Sequence, residues 1–246
     1  MKRRITPLGP VNPEGLDEIG RSLLEDTIND PTVTPAANTI NPENYLKLPG
    51  SQYGSYGYPD LLVDIHRLGY NTEIESASKT LGFGIKNTAA EKDGTPYIGS
   101  INHTQALSLN KALGNVTLDI RQFVDFLALL KSGNADDGNG KKLGPTRIDN
   151  LLDEILAVRN PYRGEFIDAK YTGQNNQLGI TYHKIRPDGT VQEITEPLEA
   201  CLMKDKQIDL DDWLRRATTP HGLPPVDVKT GTLNYYCPRE NHVAWF

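Results

Sequence analysis

Apolar residues in the first 160 positions recur at the three- and four-residue spacing of helices, and beyond that point they alternate. After Asn12-Pro13, the residues Leu16, Ile19, Leu23, Leu24 and Ile28 follow helical spacing, with Asp17, Glu18, Arg21 and Glu25 between them. Pro31 stops that helix, since a proline ring cannot continue the backbone ladder. Pro59 is read as opening a helix with Leu61, Leu62, Ile65 and Leu68 on one face and Gly69 beyond it. A second follows, capped by Thr72, carrying Ile74, Ala77 and Leu81 and ending at Gly82. A third runs from about Thr104 to Leu113 with Gly114 as its stop. The fourth takes Thr117 as its cap and bears Leu118, Ile120, Phe123, Val124, Leu127 and Leu130 before Gly133. Its wide apolar stripe predicts a central helix. A polar loop over residues 134–144 leads to Pro145 and a helix whose Ile148, Leu151, Leu152, Ile155 and Leu156 face inward.

After Asn160-Pro161 the period becomes two. Phe166, Asp168 and Lys170 point one way and Ile167, Ala169 and Tyr171 the other, as in a strand. Gly173 to Asn176 turns the chain, and Leu178 to Ile185 reads as a second strand. Arg186-Pro187-Asp188-Gly189 is a turn with proline at its second position and glycine at its last, so Thr190 to Ile194 completes a three-stranded meander. Asp209 is expected to cap a short helix bearing Leu210, Trp213 and Leu214, with strands over Thr232 to Cys237 and His242 to Phe246. The predicted class is α+β: a helical N-terminal region, then a β-rich C-terminal region. Three segments are expected: residues 1–58 as a helix and an arm rich in Pro, Asn, Gly and Tyr, 59–160 as a helical domain, and 161–246 as the β-rich part. Within the arm, the Gly/Ser/Tyr tract over residues 50–58 is either a linker or contact loop, or an ordered loop laying three tyrosines on the core.

Composition narrows the function classes. With 26 basic and 32 acidic side chains the net charge is −6, so a general attraction to nucleic-acid phosphates is not expected. The basic start, Met1 to Arg4, is followed by Pro7, Gly9, Pro10 and Pro13 rather than an apolar run, so no secretory signal is expected. No stretch approaches the roughly 18 apolar residues needed to span a bilayer. Two cysteines, Cys201 and Cys237, do not make a disulfide framework, and reduced thiols are the expected state.

The usual chemical motifs are absent or incomplete. Gly82-Phe83-Gly84 lacks the Gly-Lys-Ser/Thr and the following helix of a phosphate loop. Residues 134–140 resemble a calcium loop, but the twelfth position from Asn134 is Pro145, and glycines fall where ligands should stand when counting from Asp136. Cys201, His221, Cys237 and His242 do not have zinc-ligand spacing. Cys201 or Cys237 with His183 and Asp168 makes a triad on paper, but Asp168 and Lys170 are better explained as the wet face of a strand and His183 as a partly exposed strand residue. Asp209, Asp211 and Asp212 read as cap and first-turn charge. No catalytic residue, metal or cofactor is expected.

One pattern in the chain is more specific. Residues 160–169 (Asn-Pro-Tyr-Arg-Gly-Glu-Phe-Ile-Asp-Ala) begin it, and it continues through Glu196 to Met203 and Ile208 to Leu214. It then runs through Gly222-Leu223-Pro224 to Tyr235-Tyr236-Cys237-Pro238-Arg239 and Val243 to Phe246. This resembles the variable proteins of diversity-generating retroelements, whose C-terminal domain has a C-type-lectin fold of the formylglycine-generating-enzyme type. The resemblance covers residues from about 160 onward, with a weaker echo in Tyr97 to Gly133. It implies a constant scaffold that displays mutable side chains toward a ligand, with the mutable segment at the extreme C-terminus. Phe246 stands about where that segment should begin, and Asn241 and Trp245 are the ligand-binding positions expected at its edge.

The function expected on these grounds is non-enzymatic recognition of an unknown protein or surface ligand. A phage or viral structural component, such as a tail or adhesin, is the alternative, with the N-terminal arm ordering on assembly into a virion or oligomer. A thiol-dependent enzyme is the second alternative. No contact with nucleic acid and no membrane insertion are expected.

Overall fold

The alternation expected only after residue 160 already begins at Tyr45. The computed structural model describes residues 5–7, 41–66, 68–89, 96–99, 101–156, 165–174, 177–186 and 190–235. It has a mixed α+β architecture with small antiparallel sheets. The largest sheet runs, in spatial order, β1 (Ile5–Pro7), β5 (Leu61–Asp64), β2 (Tyr45–Leu48) and β8 (Asp136–Asp137). Between β2 and β5 the chain makes a hairpin of β3 (Ser51–Tyr53) and β4 (Tyr56–Tyr58). The Gly/Ser/Tyr tract is thus ordered, with Tyr56 and Tyr58 buried and Tyr53 half-buried.

The helix predicted after Pro59 is instead strand β5. Leu61, Leu62 and Val63 are all buried and pair on both edges, Val63 standing opposite Leu46 on one side and Ile5 on the other. A short apolar run at positions 61, 62, 65 and 68 fits a helix face and a buried strand equally well, and pairing with β2 and β1 decides between them. The loop over residues 134–144 also differs, because Asp136 and Asp137 pair with Lys47 and Leu46 as β8. Strands therefore lie on both sides of residue 160.

The helices follow their local signals closely. They are α1 (Thr72–Thr80), α2 (His103–Ala112), α3 (Ile120–Lys131), α4 (Pro145–Leu156) and α5 (Leu210–Arg216). Two caps are displaced from expectation. Asn71, not Thr72, accepts the Ile74 N–H of α1. Asp119, not Thr117, caps α3, in a reciprocal box with Gln122; the Thr117 hydroxyl is already occupied by the Asn110 amide at 2.7 Å. A hairpin of β6 (Lys86–Ala89) and β7 (Pro96–Gly99) separates α1 from α2.

The three-stranded meander forms, with β10 (Gln177–Ile185) between β9 (Lys170–Gln174) and β11 (Val191–Pro197). Its first strand begins at Lys170 rather than Phe166 and takes in Gly173 and Gln174 of the expected turn, while Phe166, Ile167, Asp168 and Ala169 are all buried instead of alternating. Phe166 to Ala169 precede its regular pairing. The last pair joins β12 (Lys206–Ile208) to β13 (Leu233–Tyr235), and Asp209 caps α5 through the Asp212 N–H at 2.7 Å. One apolar cluster crosses residue 160, from Leu46 through Phe126 and Leu127 of α3 to Ile180, Trp213 and Tyr235. A smaller cluster gathers Leu68, Ile74 and Leu109 between α1 and α2. The helix expected over residues 16–28, the turn at residues 187–189 and the strand at residues 242–246 lie outside the described residues. No described helix is long and apolar enough to cross a membrane.

Candidate functional site

The densest chemistry sits where helix α3 begins and its polar face meets the tyrosine hairpin and the meander. Asp119 is 1% exposed; its carboxylate caps the Gln122 N–H at 2.9 Å and accepts the Tyr56 hydroxyl at 2.5 Å. Six residues on, Asp125 accepts Tyr53 at 2.8 Å, Tyr58 at 2.6 Å and the Arg121 guanidinium at 2.5 Å. Arg121 is buried, lies 4.3 Å from the Tyr53 ring centroid, and donates to the Ala217 carbonyl at 2.6 Å. Such a guanidinium leaves water at a cost that its ion pair, carbonyl and ring contacts together offset. Its Nε has no hydrogen-bond partner.

Gly222 closes the far side of Arg121. It has φ +68°, its carbonyl accepts the Trp213 indole at 2.9 Å, and any Cβ there would collide with the guanidinium. A side chain at this position would therefore face both backbone strain and a clash.

A second group lies on the meander side. Asp119 and Asp168 form an isolated parallel bridge, with the Asp168 N–H donating to the Leu118 carbonyl at 2.7 Å. Asp168 in turn accepts the His183 backbone N–H at 2.8 Å and its ring Nδ1 at 3.0 Å. Next along β10, Tyr182 donates to Glu196 at 2.9 Å, and the same carboxylate oxygen accepts His221 Nε2 at 2.8 Å. Glu199 braces the loop that carries His221, taking the backbone N–H groups of His221 and Leu223 at 3.2 Å and the Thr219 hydroxyl at 2.5 Å. His221 Nδ1 is 3.5 Å from Glu199, which is ion-pair distance without hydrogen-bond geometry.

The electrostatics follow from this burial. Desolvation first, and the charge of Asp168 with it, raises the Asp119 carboxyl to about 7 against the lowering pull of the Gln122 N–H and Tyr56. Burial, then the neighbouring carboxylate, pushes Tyr56, Tyr58 and Tyr182 far up, so all three act as neutral donors. The hydrogen bond that His183 donates to Asp168 raises the His183 ring above its ordinary value.

The residues singled out from sequence fall into this picture unevenly. Asp168 and His183 are brought together, while Cys201 is a buried thiol with its Sγ 3.4 Å from the Met203 sulfur. Gly82-Phe83 forms the C-terminal stop of α1, with the Phe83 N–H on the Ser78 carbonyl at 3.0 Å. In the calcium-like loop, Asp137 accepts the N–H groups of Asn139 and Lys141 and so serves the turn. Of the acidic triplet, Asp209 caps α5, Asp211 pairs with Lys131 at 2.9 Å, and buried Asp212 holds Arg215, Arg216 and the Lys229 N–H. No group of three or more His, Cys, Asp or Glu residues that could hold a metal ion occurs among the described residues. Asn241, Trp245, Cys237 and His242 lie outside the described residues.

Sequence reasoning missed the tyrosine–Asp125–Arg121 group. Arg121 and Asp125 are four apart on a helix read for its apolar stripe, which was the available signal. No protein-family model, curated protein or solved structure matches the chain.

Proposed function

We propose that the chain is a ligand-recognition protein of the retroelement-diversified variable type, presenting a binding face on a lectin-like scaffold to a protein or surface ligand. The observation that carries this reading is the role of the residues behind the resemblance. Glu196 and Glu199 brace His221, Leu202 is buried and receives the Tyr235 hydroxyl at 3.1 Å, and Trp213 is fully buried and bonded to Gly222. These side chains join elements to one another, which is what a constant scaffold requires. Tyr235, on β13, is 1% exposed, so the last described strand is firmly held. A preorganised scaffold of this kind lowers the entropy lost when a ligand binds.

The test is a set of substitutions at Asn241 and Trp245 beside Trp213→Ala, each followed by thermal melting. Display positions tolerate exchange, so the first two sets are expected to melt with the parent chain. Trp213→Ala is expected to lose about 3–5 kcal/mol of stability. Variants of Trp245 that unfold the protein as strongly as Trp213→Ala would overturn the reading. Sequencing the gene beyond the Phe246 codon is the genetic counterpart: a near-duplicate of the terminal segment beside a reverse transcriptase is expected, and a locus lacking both counts against the proposal.

A further inference from the structure

Asp119 and Asp168 put two buried carboxylates at one seam between helix α3 and the meander, at 1% and 3% exposure. The seam is also held by backbone hydrogen bonds: Asp168 N–H to Leu118 O at 2.7 Å, and His183 N–H to the Asp168 carboxylate at 2.8 Å. The groups facing it come from each neighbouring element. From β4, Tyr56 donates to Asp119 at 2.5 Å, and from β10, the Tyr182 ring meets Tyr56 in a tilted contact at 5.9 Å between centroids. Lys184 lies 5.4 Å from the Tyr56 ring, and Arg121 on α3 is turned to Asp125. His183 faces Asp168 directly, with Glu193 of β11 at 3.8 Å from its Nε2 and Lys111 of α2 contributing an opposing charge.

We propose that this seam is a proton-operated latch: it holds the meander on α3 while Asp119 is neutral and His183 charged, and it loosens as both lose their protons. Two like charges in a desolvated seam repel strongly, and the ring set against Asp168, His183, is itself a titrating group. The N-terminus of α3 favours a charged cap, but burial and the neighbouring Asp168 act against it.

The signs of the two groups agree. Asp119 is raised from 3.8 to about 7 in the folded chain, so its contribution is full below the unfolded value and is lost as pH climbs to about 7. His183 is also raised, so its contribution is full below 6.5 and is lost as pH rises through its higher folded value. Between these limits one proton is released per group on unfolding, so the unfolding constant rises by up to about tenfold per pH unit for each.

The experiment compares denaturant unfolding of the parent chain, Asp119→Asn and His183→Gln from pH 5 to 8.5. The parent is expected to lose stability steadily over that range. Asp119→Asn is expected to flatten the profile below about pH 7, and His183→Gln to flatten it above pH 6.5. Parallel profiles for all three chains would overturn the latch. Should Asp119→Asn fail to fold, amide exchange in the parent chain decides the matter. Protection at the Asp168 and His183 amides, corrected for intrinsic exchange, is then expected to fall between pH 5 and 8 relative to the Leu127 amide inside α3. Equal behaviour of those amides would reject the proposal.

Discussion

The two apolar clusters of this protein are built on different terms. The large one, from Leu46 to Tyr235, surrounds buried ionisable side chains: Asp119, Arg121, Asp168, Asp212 and His221. The small one gathers Leu68, Ile74 and Leu109 with half-buried Ala77, Leu81, Phe83, Ile85, Ile98, Ile101 and Leu113. Polar tethers bind it to the larger body, His103 Nε2 donating to the Ile167 carbonyl at 2.7 Å and Asn110 to Thr117 at 2.7 Å. A core that includes hydrogen-bonded charge gains directional constraints on how its elements meet, whereas a small apolar knob gains only area. The first is expected to unfold as a unit and the second to open on its own.

The largest effect that sharpens this contrast is expected at Arg121. Arg121→Ala leaves Asp125 without its guanidinium and empties the space under Gly222, at a cost of about 3–5 kcal/mol in global stability. Arg121→Met with Asp125→Leu removes both charges together and is expected to recover part of that loss, although Tyr53 and Tyr58 then lack an acceptor. Chemical denaturation of both single variants and the double measures the coupling, and a double loss equal to the sum of the two single losses would mean that the charges are not coupled.

Ile74→Ala comes next. Ile74 is fully buried, and its truncation is expected to cost about 2–4 kcal/mol, but locally. Amide exchange should then accelerate in α1 and α2 while α3 stays protected. Uniform acceleration would erase the distinction between the two regions. The smallest effect belongs to the cap of α1. Asn71→Ala removes the acceptor of the Ile74 N–H, is expected to cost about 1 kcal/mol, and should likewise appear in α1 exchange alone.

The helices and the meander were legible because their signals are local. The glycine stops Gly82, Gly114 and Gly133 all take positive φ, and the capping residues stand within two positions of where they were read. The failures share one cause. Strand β5 was read as a helix because positions 61, 62, 65 and 68 satisfy both patterns, and its partners, β2 and the distant β1, are invisible to a local window. Asp168 and His183 were paired on paper only as part of a triad, and nothing in their 15-residue separation pointed to Asp119. The tyrosine tract was recognised as sticky, but its acceptors lie 63 to 72 residues away on α3.

Residue order alone was enough for the elements whose stability is decided within a turn or two: the central helix, the glycine stops and the β10–β11 pair of the meander. The joining of those elements needed folding in three dimensions. Tyr56 reaches Asp119 across 63 residues and Arg121 reaches Ala217 across 96, contacts that no short-range propensity encodes. Burial then changes the chemistry of what it joins. A carboxylate that would be ionised in water becomes, at Asp119, a group that titrates near neutrality, because the same packing that hides it also sets a second carboxylate beside it.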